Sequence, residues 1–318
     1  METLTAVEAV ALIIPNWNGR QHLEVCLSSV ARQTVRPART IVVDNGSTDD
    51  STAFIQSRFP WVEVIALDRN GGFAAAVNRG IGVSDEPYVA LLNNDTELDA
   101  RWVETMLRAL DADRSAGMAA CKMLRFDDRR IIDSAGDTFT RGGSPVTRGA
   151  GEIDRGQYDR LEYVPGTCAG AALYRRELFE NIGVFDEEFV SYYEDVDLSL
   201  RAQLAGYQCI YVPFAVCFHK RGATAALLAH FPARMQERNL TAVQIKNLPA
   251  AVWLRKGPAI LLSRIRRLVR ECRTDAGGAA LGGFLLGLMM IPRLLGQRRR
   301  TLALRAVPSS RILSLFGS

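Results

Sequence analysis

From the N-terminus the chain alternates short apolar runs with stretches of helical spacing. Residues 10–14 (Val-Ala-Leu-Ile-Ile) form an apolar run that stops at Pro15 and predicts a buried strand. After the loop 16–19, Leu23, Cys26, Leu27 and Val30 fall on one side of a helix. Residues 40–43 predict a second strand, broken by Asp44-Asn45-Gly46-Ser47, and Thr48 onward reads as a helix start with Ser47 as its cap. Residues 62–67 predict a third strand. Asn70-Gly71-Gly72 then turns the chain into a small-residue helix running through Gly80, and residues 88–92 predict a fourth strand ending at Asn93-Asn94-Asp95. Strands alternating with helices predict an α/β fold with a parallel sheet covered on both faces. In such sheets ligands bind beyond the carboxyl ends of the strands. The polar clusters 16–19, 44–49 and 93–95 all stand at those ends, which predicts one composite site.

Beyond the fourth strand the pattern weakens. Residues 125–163 are rich in Gly, Arg and Asp and read as loops and hairpins, residues 170–174 and 208–212 as further strands, and residues 195–206 as a helix. The character changes near residue 226, so two regions are expected, 1–225 and a basic, apolar helical region 226–318. Residues 276–291 carry no charge. As a helix they would span roughly 24 Å, short of the ~30 Å hydrocarbon core. Five glycines weaken that helix further, so a shallow or re-entrant insertion at a membrane surface is expected rather than a clean span.

Composition adds three constraints. The chain has 318 residues, 48% hydrophobic and 23% charged, which fits one large or two modest globular domains and excludes disordered and collagen-like classes. Residues 255–318 hold 13 Lys/Arg against two acids, a net +11, while the rest holds 26 basic against 33 acidic residues, a net −7. A mildly acidic body with a basic tail suggests an anionic partner for the tail. Its arginines alternate with aliphatic residues rather than stacking aromatics, which favours acidic lipid over nucleic acid. None of the six cysteines forms a CxxC pair, so they read as small core residues of a reducing compartment. Residues 1–10 hold two glutamates and no apolar leader, from which a cytoplasmic location is expected.

Four groups carry chemistry. Asp44, directly after a strand, is placed either to accept from a nucleobase N–H or to cap the next helix. Asp95 of Asn93-Asn94-Asp95 is placed either to hold a divalent cation against two phosphates or simply to end a strand. Glu194, Asp195 and Asp197 begin a helix, where acids complement the dipole; crowded together, they also have the raised affinity for protons that suits a general base. His219 follows a strand and precedes the basic loop starting at Arg221, and reads as structural or as a ligand. GxGxxG, GxxxxGK[ST] and GxSxG are all absent, which disfavours dinucleotide oxidoreductases, P-loop enzymes and α/β-hydrolases.

Taken together, Ile13-Ile14-Pro15-Asn16-Trp17-Asn18-Gly19, residues 42–49, Asn70-Gly71-Gly72-Phe73, Leu91-Leu92-Asn93-Asn94-Asp95-Thr96 and residues 193–201 make the chain resemble inverting family 2 glycosyltransferases of the GT-A fold, in particular the rhamnosyltransferase-like and galactofuranosyltransferase-like branch. The five motifs stand in family order over about residues 10–225. The resemblance implies a Rossmann-like, mostly parallel sheet with flanking helices, followed by a C-terminal α-helical region. It implies that Asp44 contacts the nucleobase, that Pro15, Asn16, Asn18, Asn45, Asn70, Asn78, Asn93 and Asn94 line the nucleotide-sugar pocket, and that Asp95 and His219 bind Mn²⁺ or Mg²⁺. Asn93 replaces the first acid of the usual DxD element. Asp195 is implied as the base, with Glu194 beside it. Arg234 and Arg238 are candidate contacts to an acceptor diphosphate. The QxxRW signature of processive synthases is absent, so a single addition is expected. The expected donor is dTDP-rhamnose or a UDP-sugar, the acceptor a glycan or lipid-linked sugar at the inner leaflet, and the oligomeric state is left open. A catalytically inactive nucleotide-sugar-binding module is the alternative, against which the full set Asp44, Asp95, Asp195 and His219 argues.

Overall fold

The computed structural model describes residues 9–220 and 229–317. The polar stretch 1–8, the basic loop from Arg221 and the expected boundary at 225 lie outside the described residues. The first part of the chain runs β1 (Val10–Asn16), α1 (Arg20–Ala31), β2 (Arg39–Asp44), α2 (Ser51–Arg58), β3 (Glu63–Ala66), α3 (Phe73–Gly82) and β4 (Tyr88–Leu92). It continues through β5 (Thr96–Leu98), α4 (Trp102–Ala112), β6 (Ala116–Arg125), β7 (Ile132–Ser134), β8 (Asp137–Phe139), β9 (Pro145–Thr147), β10 (Glu162–Val164), β11 (Ala171–Arg175), α5 (Arg176–Ile182), α6 (Glu194–Leu204) and β12 (Gln208–His219). The helices α7 (Phe231–Asn247), α8 (Ala250–Glu271), α9 (Gly277–Met289), α10 (Ile291–Ala303) and α11 (Ser309–Ser314) follow.

The main sheet has the order β10-β12-β6-β11-β4-β1-β2-β3, with β5 on β12 and β7 on β6. β3, β2, β1 and β4 are parallel, as expected; β11 runs antiparallel to both β4 and β6, so the sheet is mixed. Strand alternation sorts the core into two layers. Leu12, Ile14, Val42, Ala90 and Leu92 meet α1, α2 and α4 on one face, whereas Ile13, Ile41, Val43, Val89 and Leu91 meet α3, α5 and α6 on the other.

Two local expectations are corrected. β1 does not stop at Pro15 but pairs with β2 through Asn16. Its pairing with β4 ends at Ile13, so at Pro15 it has a neighbour on one side only and tolerates the missing N–H. Ser47 does not cap a helix either: α2 begins at Ser51, where the Asp49 carboxylate accepts from the Ser51 amide at 3.2 Å.

The C-terminal helices share a core with α6. Phe189, Val196, Leu200 and Leu204 pack with Ala242, Val243, Leu248, Val252, Leu294 and Ile312. The uncharged stretch forms α9, which lies against α7; a Cβ on Gly283 would stand 2.1 Å from the Arg234 carbonyl oxygen, so the close approach requires glycine. Among the described residues no single helix is long and apolar enough to cross a membrane, and α9 and α10 pass that test only as a pair bent by 63°.

Candidate active site

Parallel strands end on one side of the sheet, and this places Asn16, Asp44 and the turn after Leu92 side by side. A buried polar network joins them. Asn16 Nδ2 donates to Asp44 Oδ1 at 2.9 Å and to Ser47 Oγ at 3.3 Å, and Asn16 Oδ1 accepts from Asn94 Nδ2 at 2.7 Å. The Ser47 amide donates to Asp44 Oδ2 at 3.0 Å. Asn18, in a left-handed conformation (φ 49°), accepts from the Thr48 amide at 2.8 Å and locks the two loops together. Asn45 Nδ2 donates to Asn70 Oδ1 at 2.9 Å and to the Gly72 carbonyl at 3.0 Å, which shapes the turn before α3. Pro15 is half-buried on the final turn of β1, and Asn93 lies half-buried with its amide nitrogen near Gly170.

Two expected pocket residues make contacts within the protein. The Asn16 side chain donates through both amide hydrogens and accepts once within the network, so it orients Asp44. Asn78 donates to the Phe185 carbonyl at 2.8 Å and accepts from its amide at 3.1 Å, which tethers α3 to the chain before α6.

The register of β12 decides the neighbours of Asp95. His219 pairs with Thr96 of β5, and its Nε2 lies 3.3 Å from Asp95 Oδ1. Its Nδ1 lies 2.7 Å from Asp133 Oδ2 on β7. Burial lowers the basicity of His219, but the hydrogen bonds to Asp133 and Asp95 outweigh it and raise the imidazole to about 9. Burial also disfavours the charge on Asp95, yet the His219 contact holds its carboxyl below the usual range. Oxygen and nitrogen ligands at ~2.1 Å on adjacent octahedral positions lie ~3 Å apart, so this pair would fit one divalent cation once the Nε2 proton is displaced. Among the described residues no group of three His, Cys, Asp or Glu side chains converges, so the remaining ligands would be phosphate and water. Lys220, whose amide donates to the Asp95 carbonyl at 2.9 Å, adds a cation nearby, with Nζ 3.4 Å from His22 Nδ1.

The three acids at the start of α6 divide by environment. Asp197 is fully buried between Lys246 at 2.8 Å and Arg201 at 2.9 Å, and accepts from Asn247 Nδ2 at 2.8 Å. Burial opposes its charge, but Lys246 and Arg201 prevail and hold it at about 2, a structural ion pair. Glu194 is buried, and its Oε2 has no hydrogen-bond partner among the described residues. Burial and the neighbouring Asp195 push its carboxyl well above the usual range. Asp195 is half-buried; its oxygens accept from the Ala169 amide at 3.3 Å and the Val196 amide at 2.8 Å, which partly offset the upward push of burial. Asp137 on β8, not singled out in the sequence, joins this group and is pushed well above the usual range by burial and by Asp195. Of Glu194, Asp137 and Asp195, Asp195 is the one best able to hold a negative charge.

Residues 11–183, over half of the chain, match the family model for glycosyl transferase family 2. The chain belongs to glycosyl transferase family 2. This glycosyltransferase is 29% identical over 239 residues to an N-acetylglucosaminyl-diphospho-decaprenol L-rhamnosyltransferase of Mycobacterium tuberculosis, covering 67% of this chain and 76% of the relative. The crystal structure of S. aureus TarS 1-349 superposes with a TM-score of 0.56 at 17% identity, over 96% of this chain and 90% of that one. GalNAc-T7 with UDP, GalNAc and Mn²⁺ superposes with a TM-score of 0.59 at 15% identity, over 77% and 48%. These likenesses establish the GT-A fold, a mixed, mostly parallel sheet flanked by helices and followed by a helical region.

Other predicted residues are dispersed. Arg234 is exposed on α7. Arg238 sits in a crevice with Asp186, Glu188 and Gln297, where burial depresses its basicity and the two acids counter its charge. Sequence reasoning missed Asp133 and Asp137. The only signal for either was an acid-bearing stretch, Ile132-Asp133-Ser134-Ala135-Gly136-Asp137, inside a region of weak periodicity.

Proposed function

We propose that this glycosyltransferase moves one L-rhamnosyl unit, with inversion, from dTDP-rhamnose to a sugar on a polyprenyl-diphosphate acceptor, in cell-wall or surface polysaccharide synthesis. The observation that carries the chemistry is the separation of the carboxyls around Asp195. Burial and the neighbouring Asp195 push Asp137 and Glu194 well above the usual carboxylate range, whereas Asp195 is the half-exposed member of the three and accepts from two backbone amides. Neighbouring carboxyls whose environments push their proton affinities apart mark acid and base roles. Asp195 takes the proton from the acceptor hydroxyl as that oxygen attacks the anomeric carbon from the face opposite the departing nucleotide. One displacement inverts the configuration and needs no enzyme nucleophile. The donor and acceptor classes rest on the mycobacterial relative; a UDP-sugar is the alternative donor.

Asp44 faces the nucleobase from the end of β2, held by Asn16 and Ser47. Asp95 and His219 would hold Mn²⁺ or Mg²⁺, which when bound neutralises charge on the leaving diphosphate. Lys220 and His22 border the same position. The helical region supports a peripheral site on the cytoplasmic face of the membrane: Leu254, Leu261, Ile265 and Val269 of α8 and Leu285 and Met289 of α9 are exposed among arginines.

Transfer from dTDP-rhamnose to a GlcNAc-diphospho-polyprenol, followed with Mn²⁺ present, tests the proposal. Product of inverted configuration from the wild type is expected. Asp195→Asn should lose at least about 10³-fold in kcat while still binding dTDP in a thermal-shift assay. Near-full activity of that variant removes Asp195 from the role. An inert wild type that binds nucleotide sugar favours the binding-module alternative.

A further inference from the structure

The chain leading into Glu194 and Asp195 is held in an unusual shape. After the 3-10 turn Glu187–Phe189, Val190 (φ 63°), Tyr192 (φ 71°) and Tyr193 (φ 67°) all adopt positive φ. Positive φ is unfavourable for any residue with a side chain and most of all for a β-branched one such as Val190. Three such residues among four persist only where the surroundings over-determine them, and such strain gathers at functional sites.

Two elements impose the shape. On one side, the start of α3 grips the loop: the Ala74 amide donates to the Val190 carbonyl at 3.3 Å, and the Phe73 amide to Ser191 Oγ at 3.4 Å. Gly72 makes room for this, since a Cβ there would lie 2.5 Å from the Val190 carbonyl oxygen. On the other side stands Asn239 of α7, with no exposed surface. Its Nδ2 reaches three carbonyls of the loop, those of Phe189 at 2.9 Å, Ser191 at 2.9 Å and Tyr192 at 2.7 Å. Its two N–H donors are shared over these three carbonyls and tie the loop to α7. Arg267 of α8 adds a contact to Tyr193 Oη at 3.2 Å.

We infer that Asn239 is a positioning residue for the transfer: it clamps the strained loop 189–193 and so aims Asp195 at the acceptor. Its part in transfer rests on the reading of Asp195 as the base. The clamp adds a polar tie between α7 and the loop before α6 to the apolar core that the helical region shares with α6. The loop is thus held between Asn239 and the start of α3, next to the turn Asn70-Gly71-Gly72.

Asn239→Ala in the full chain, with and without Val190→Gly, tests the clamp. Glycine takes positive φ without penalty, so it relaxes the loop's dependence on Asn239. Hydrogen exchange at residues 189–194 should speed up at least tenfold in Asn239→Ala, with the sheet unchanged, and slow again in the double variant. With dTDP-rhamnose and a GlcNAc-diphospho-polyprenol, kcat should fall at least tenfold in Asn239→Ala, the donor KM should stay within about twofold, and Val190→Gly should restore at least threefold of kcat. Unchanged exchange at 189–194 overturns the clamp, as does a loss of kcat that tracks the unfolded fraction or is not restored by Val190→Gly. A wild type inert toward both probes overturns the transfer reading instead, and the exchange measurement then decides the clamp.

Discussion

Asp195 works as a base only if it keeps its charge while its neighbours hold protons. Since Asp137 and Glu194 are pushed upward more strongly than Asp195, they still hold their protons when Asp195 ionises. The base form of Asp195 grows as pH rises through its raised value, so the acid limb of kcat lies above the ordinary carboxylate range. Asp137→Asn replaces a neutral acid by a neutral amide and should leave that limb in place. Were Asp137 ionised in the working enzyme, the same variant would relieve repulsion and move the limb to lower pH; a kcat–pH profile separates the two outcomes. At the other end of the site, Asp133 holds His219 with Nε2 directed at Asp95. Carboxylates that orient a metal-binding histidine typically contribute 10- to 100-fold in affinity. Asp133→Asn should therefore weaken Mn²⁺ binding by about that factor, read from the free Mn²⁺ signal in electron paramagnetic resonance.

At the scale of elements, α6 serves two purposes on two faces. Its first residues present Glu194 and Asp195 to the site, while Asp197 turns inward to Lys246, Asn247 and Arg201. Removing one partner of a buried ion pair strands the others, at a cost of about 3–5 kcal/mol. Asp197→Ala should lower the urea midpoint by a corresponding amount. The pH dependence has a definite sign. Asp197 is held at about 2 in the folded chain, below its unfolded value, so its contribution is complete above the unfolded value of about 4 and is lost as pH falls through about 2. Stability in the wild type should drop across that window, and the variant should lack this component. A variant as stable as wild type at pH 7 would show that the pair is replaceable by packing. The same contacts join α6 to α7, and Asn239 extends the junction to the loop before α6.

For the whole molecule, the distribution of charge and apolar surface is what the proposed membrane site rests on. The body is mildly acidic and the tail carries +11 over residues 255–318. Leu254 is 84% exposed and Met289 76%, on helices whose other faces are packed into the protein. Exposed apolar side chains among arginines suit an anionic lipid surface, where each arginine adds about 1 kcal/mol. Flotation of the full chain with anionic liposomes should be strong at low salt and weaker at high salt. A Leu254→Glu/Ile265→Glu/Met289→Glu variant should stay at the bottom of the gradient while keeping its melting temperature. A truncation at 225 is unsuitable for this test, because α7 and α8 complete the core around α6. Equal flotation of the triple variant and the wild type would remove α8 and α9 from membrane contact.

The alternation of apolar runs and helical segments along residues 10–92 determined the parallel half of the sheet, since period and turn residues are local properties. The order of the polar motifs determined the family, and their places at strand ends marked the candidate site. What only the tertiary structure decided depends on distant partners. β11 runs antiparallel through its pairing with β4 and β6, which no local period encodes. Asp133 meets His219 across 86 residues because β7 and β12 both flank β6. Asn239 meets the loop before α6 across 47 to 50 residues. The three acids Glu194, Asp195 and Asp197 look alike in sequence; burial and charged neighbours supplied by other elements make one a structural anion, one a proton holder and one the accessible carboxylate.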